Sequence, residues 1–108
     1  MKEQLDQVRN QARDLRREEP RPAGEKLGGF PMGMRCLDKC RASLLGWEGT
    51  YRYGCPMDEE FLAAAGIDVE EFRQFVATGA SDCGVDKWVR MRSHARLHRR
   101  PVIAGEAT

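Results

Sequence analysis

The stretch PMDEEFLAAAGIDVEEFRQFVATG, residues 56–79, decides the fold. Pro56 suits a first helical position, where its missing N–H is no loss, and Asp58, Glu59 and Glu60 complement the positive end of the helix dipole. Phe61, Leu62 and Ala65 then recur at helical spacing, and Gly66 provides the left-handed stop. A second start follows at once: Asp68 with Glu71 has capping-box spacing, and Ile67 and Phe72 occupy the staple positions. Phe72, Phe75 and Val76 form the apolar face of this helix, which Gly79 ends. Beyond it, Ser81 is placed to cap a further helix that carries Val85, Trp88 and Val89 inward. Three short helices with their own punctuation predict an all-α domain.

Working toward the N-terminus, residues 32–46 predict a helix whose buried stripe is Cys36, Leu37, Cys40 and Leu44. Arg35, Asp38, Lys39 and Arg41 are its polar members, with Asp38 in helical reach of Arg35 or Arg41. After the stop at Gly46 the pattern changes. Residues 47–54 read as a short extended insert in which Tyr51 and Tyr53, two apart, lie on one side. Residues 1–19 predict an amphipathic helix with Leu5, Val8, Ala12 and Leu15 as a narrow stripe. The stripe is expected to dock on its own domain, with self-association through residues 5–15 as the alternative. Pro20, Pro22 and Gly24 separate it from the rest. The expected organisation is therefore an N-terminal helix over 1–19, a helical core over 20–98 and a mobile tail over 99–108, giving a compact bundle of four to five helices with an extended insert.

The chain has 108 residues, enough for one modest core. Eighteen basic and seventeen acidic residues leave a net charge of +1, which supplies no global drive toward nucleic acid or acidic membranes. No apolar run approaches the ~20 residues of a membrane span, and the N-terminus lacks the apolar region of a secretory signal. A cytoplasmic setting is expected, with Cys36, Cys40, Cys55 and Cys83 as thiols rather than a disulfide framework.

Several segments occur in a particular order: Leu27-Gly28-Gly29, then Leu37-Asp38-Lys39-Cys40-Arg41-Ala42, then Tyr51-Arg52-Tyr53-Gly54-Cys55-Pro56-Met57-Asp58. Phe61-Leu62, Gly66-Ile67-Asp68, Ala80-Ser81-Asp82 and Trp88-Val89 complete the series. Over most of residues 20–90 the pattern resembles the bacterial domain-of-unknown-function 5069 family. It departs at Cys83 and Gly84, where the resemblance leads one to expect acidic residues, and in the basic segment after Arg92. The resemblance narrows the fold and implies no activity.

Three constellations bear on function. The first joins Asp38, Lys39 and Arg41 to Tyr51, Tyr53, Cys55 and Asp58: cations that hold an anionic ligand, carboxylates that orient them, and two phenols. Alternatively, the same groups form a salt-bridge network that pins the insert to the helix. The second is the thiol set Cys36, Cys40 and Cys55. Its spacing is not that of a zinc knuckle and Cys36 lies on an apolar stripe, so the thiols are first of all expected as small buried side chains; if one of them reacts, it is Cys55, just before a helix start. The third is the basic end, where Lys87, Arg90, Arg92, Arg96, Arg99 and Arg100 fall within fourteen residues without an acid. It offers phosphate contacts but no aromatic platform after Trp88. No nucleophile elbow or phosphate loop occurs, so no catalytic residue, metal site or cofactor is assigned. The expected function is a non-enzymatic binding module for a protein or a small anionic ligand, with nucleic-acid binding and a thiol or metal site as alternatives.

Overall fold

The computed structural model describes the backbone of residues 2–105 and the side chains through residue 95. Among these residues the chain forms five helices: α1 Lys2–Gln11, α2 Gly33–Leu45, α3 Pro56–Ala65, α4 Val69–Val76 and α5 Asp82–Gly105. The expected all-α architecture is observed. The one β-type pairing among them is an isolated bridge between Leu27 and Phe30, so the insert at 47–54 is irregular rather than a strand.

The punctuation in the second half works as written. Cys55 is the N-cap of α3, with Pro56 as its first residue and Gly66 as a left-handed C-cap at φ 74°. Asp68 accepts from the Glu70 and Glu71 amides while the Glu71 carboxylate receives the Asp68 amide, a complete capping box. Ser81 Oγ accepts the Gly84 amide at 3.1 Å. Phe72 sits at the hub of the aromatic core, edge-on to Phe61 at 5.8 Å and stacked on Tyr53 at 6.2 Å. Burying such a ring contributes about 1.5–3 kcal/mol. Around it lie Leu27, Leu37, Leu62, Ile67, Val76, Val85 and Val89, with Cys36 and Cys40 among them.

Helix α2 runs through the middle, and eight of its thirteen residues are buried, including Asp38, Lys39 and Arg41. It packs on α1, α3 and α4. Its start is fixed sterically: a Cβ on Gly33 would stand 2.4 Å from Leu27 Cβ and 3.0 Å from Phe61.

Two expectations need correction. The N-terminal helix ends at Gln11 rather than reaching Glu19. Asp14 draws the Arg16 amide and guanidinium onto its carboxylate, and its carbonyl accepts the Arg17 and Glu18 amides. A short acidic side chain that bonds its own backbone competes with helix continuation. Val8 and Leu15 are nevertheless both buried in their own domain, leaving Leu5 partly exposed. At the other end, the tail expected over 99–108 is helical in backbone as far as Gly105, since an established helix propagates without needing an apolar stripe. Residues 106–108 lie outside the described residues.

Candidate functional site

Five of the seven residues of the proposed polar cluster are divided between two networks that leave α2 in different directions, and the two tyrosines belong to neither. Asp38 is fully buried, yet pairs with neither Arg35 nor Arg41 as its spacing suggested. Its partner is Arg21, which donates its backbone N–H at 2.8 Å, Nη2 at 2.8 Å and Nε at 3.0 Å to the carboxylate. Arg21 reaches on to Asp82 through Nη1 at 2.9 Å. Arg41, buried on the same side, donates to Asp82 at 2.7 Å, to the Ala80 carbonyl at 3.0 Å and to Gln11. Four charges thus alternate, Asp38–Arg21–Asp82–Arg41, and tie the segment after α1, helix α2 and the start of α5 together. The hydrogen bonds that Arg21 donates to Asp38 and Asp82 raise its already high value, against its burial. At Asp82 burial works to raise the carboxyl, but the bonds from Arg21 and Arg41 prevail and hold it below its usual range.

The second network is smaller. Lys39, 5% exposed, places Nζ 3.1 Å from Asp58 Oδ2 and 3.2 Å from Cys55 Sγ. Asp58 Oδ2 also accepts the Gly54 amide at 2.9 Å, which closes the insert onto α3. The charged helix and the tyrosine-bearing segment therefore meet, as the sequence suggested. The two tyrosines separate: the Arg35 guanidinium lies over the Tyr51 ring at 5.6 Å, whereas Tyr53 donates its hydroxyl to the Val69 carbonyl at 2.6 Å. Burial raises the Tyr53 phenol well beyond its ordinary range. Arg21 and Asp82, which complete the larger network, were missed. Their signal was the Pro20-Arg21-Pro22 sequence, which holds an arginine extended with its N–H unused.

Of the three thiols considered together, Cys36 and Cys40 belong to the apolar core. Burial pushes the Cys36 thiol well up and that of Cys40 up to about 12, so both are neutral, inert side chains. No group of three metal-ligating side chains comes together among the described residues. Only Cys55 keeps partial exposure and a cationic neighbour.

An open groove lies elsewhere, between the turn at Leu27–Phe30 and α5. It encloses about 460 Å³ and is lined by Gly28, Gly29, Phe30, Arg90, Met91, Ser93 and His94. Asp86 holds the turn to α5 by accepting the Gly28 amide, and Gly28, at φ 61°, has no room for a Cβ against Val89. The Arg90 side chain is 61% exposed and bonds Asp86 at 2.8 Å, which holds the Asp86 carboxyl below its ordinary range. Met91 stands 60% exposed beside it. Along the basic end, Lys87 is exposed, while Arg92 is taken up by Glu71 at 2.9 Å and by the Trp88 face at 5.4 Å. The side chains of Arg96, Arg99 and Arg100 lie outside the described residues.

The sequence pattern of a family described as Domain of unknown function (DUF5069) matches residues 17–102. No curated protein matches the chain.

Proposed function

The chain belongs to the DUF5069 family, whose description assigns no activity, and from that premise we propose that it is a non-enzymatic binding module for an acidic segment of a protein partner. The groove beside the Gly28–Gly29 turn is the binding surface in this reading. What supports it is the contrast in exposure. Asp38, Lys39 and Arg41 on α2 are buried and paired with Arg21, Asp58 and Asp82, whereas Arg90 and Met91 face solvent on a groove that also carries Gly28, Gly29 and Phe30. An exposed i,i+4 pair such as Asp86–Arg90 contributes little, so a partner carboxylate displaces Asp86 at small cost. The turn is already fixed against α5, and a preorganised wall loses little freedom on binding. Met91 and Phe30 supply the adaptable apolar contact. In this reading the module belongs in a bacterial cytoplasm, where its cysteines stay thiols.

Titration with a glutamate-rich peptide, followed by amide chemical shifts, tests the proposal. Shifts should concentrate at Gly28, Gly29 and Phe30, and Arg90→Ala should weaken binding roughly tenfold with little change in melting temperature. Equal affinity of the variant would overturn the reading. Tighter binding of a single-stranded oligonucleotide, with a steep salt dependence, would transfer the function to the basic helix.

A further inference from the structure

We infer that the chain docks on a second copy of itself about a twofold axis near Phe30, with Arg90 of each copy meeting Glu60 of the other. The inference rests on reading the groove as a site for acidic protein surface, and it names the acid. Phe30, a partly exposed ring, lines two cavities. On one side is the groove with Arg90 and Met91. On the other is a hollow of about 160 Å³, lined by Pro31, Met32, Glu60, Phe61 and Ala64 together with Phe30 itself. One apolar centre thus has a cationic flank and an anionic flank.

Each flank belongs to a helix of one sign. Helix α3 carries Asp58, Glu59 and Glu60 and no basic residue, whereas α5 carries Lys and Arg residues and no acid from Lys87 onward. Glu60 is exposed and enters none of the ion pairs formed among the described residues. Arg90 is held by Asp86 in an exposed pair that is readily exchanged for another.

A partner for this surface has to present an acid, an apolar centre and a base in the reverse order, and the chain itself presents them. Turned through 180° about its middle, such a surface complements itself: the unlike charges meet twice and the apolar centres face each other. A net charge of +1 leaves little repulsion to oppose the approach. Met91, 60% exposed at the cationic flank, and Pro31, exposed beside Phe30, widen the apolar contact. The α1 stripe takes no part, since Val8 and Leu15 are already buried within their own chain. A small patch with charged pairs at its edges suits a weak, reversible dimer rather than an obligate one. The second copy covers the groove, so it and an acidic partner exclude each other.

Sedimentation equilibrium over a range of protein concentrations tests this arrangement. At low ionic strength the average mass should rise toward that of two copies and level there, and added salt should lower it. Arg90→Glu and Glu60→Arg should each weaken self-association roughly tenfold, because each brings like charges together twice. Both side chains are exposed, so both variants should melt near the wild-type temperature. An equimolar mixture of the two variants should associate as the wild type does, since each copy supplies the charge that the other has reversed. A wild type that stays monomeric, a single variant that associates unchanged, a mixture that fails to recover, or growth beyond two copies would each overturn the inference. The groove is judged separately, by titrating the glutamate-rich peptide into protein dilute enough for the copies to be apart. Peptide binding by a chain that never self-associates overturns the second copy alone, whereas failure of both overturns the groove as well.

Discussion

The two polar networks that leave α2 use similar charges to opposite effect. Around Asp38 the acceptors are filled: a backbone amide and two guanidinium nitrogens of Arg21 converge on one buried carboxylate. Around Asp58 a lysine, a thiol and an amide share the donor and acceptor roles, and one carboxylate oxygen is left over. Arginine explains much of the difference. Its planar fork meets a carboxylate at two points and cannot shed its proton, whereas lysine is a compact ammonium on a flexible stem. The first arrangement fastens three segments of chain, and the second closes the insert onto α2 and α3.

Removing the carboxylates one at a time separates the networks. Asp38→Ala should have the largest effect, about 3–5 kcal/mol lost in urea unfolding, because Arg21 loses its buried partner and keeps only the half-exposed Asp82. Asp58→Ala should cost less, about 2–3 kcal/mol. The stranded lysine can become neutral in the folded variant while remaining charged in the unfolded chain up to about pH 10. The unfolded state of that variant then binds the extra proton, so its stability rises with pH and the deficit against wild type narrows toward pH ~10. The Asp38→Ala deficit should not narrow, since arginine offers no such escape. Parallel pH profiles for the two variants would break the distinction drawn between the networks.

Much of this architecture was legible in sequence, and the gaps have physical causes. The helix boundaries at Pro56, Gly66, Asp68 and Ser81 are local devices, each written in one or two residues, and all operate. The overlong α1 was misread because Asp14 acts through its own backbone, which periodicity of apolar residues does not register. Within the site, the meeting of Lys39 with Cys55 was foreseeable from a helix followed by a returning loop. Asp38 was misassigned because its partner, Arg21, lies seventeen positions away in an irregular segment. Helical spacing offers only i±3 and i±4 candidates, and tertiary contact overrode them. The groove escaped notice for a different reason: one wall is a turn whose Gly28 is pressed against Val89, and a shape of that kind is set by packing rather than by any motif.

The smallest effect sharpens the comparison inside the larger network itself. Asp82 bridges Arg21 and Arg41 but, unlike Asp38, has a side chain 44% exposed. Water already screens part of its interaction, so Asp82→Asn should cost only about 1 kcal/mol at pH 7. Acid gives the sign of that contribution. Arginine bonds hold the folded carboxyl below its unfolded value of 3.8, so the unfolded chain takes up the proton first as pH falls. The stability Asp82 adds is complete well above pH 3.8 and is lost as pH drops through the folded value. Urea unfolding of wild type and Asp82→Asn across this range should give curves separated at neutral pH that merge in acid. Asp14, Glu71 and Asp86 are held low by arginines as well and destabilise both chains alike, so the difference between them isolates Asp82. A separation that survives unchanged at the acid end would mean that Asp82 acts through shape and hydrogen-bond geometry rather than charge, and the alternating ion-pair description of this network would have to be abandoned.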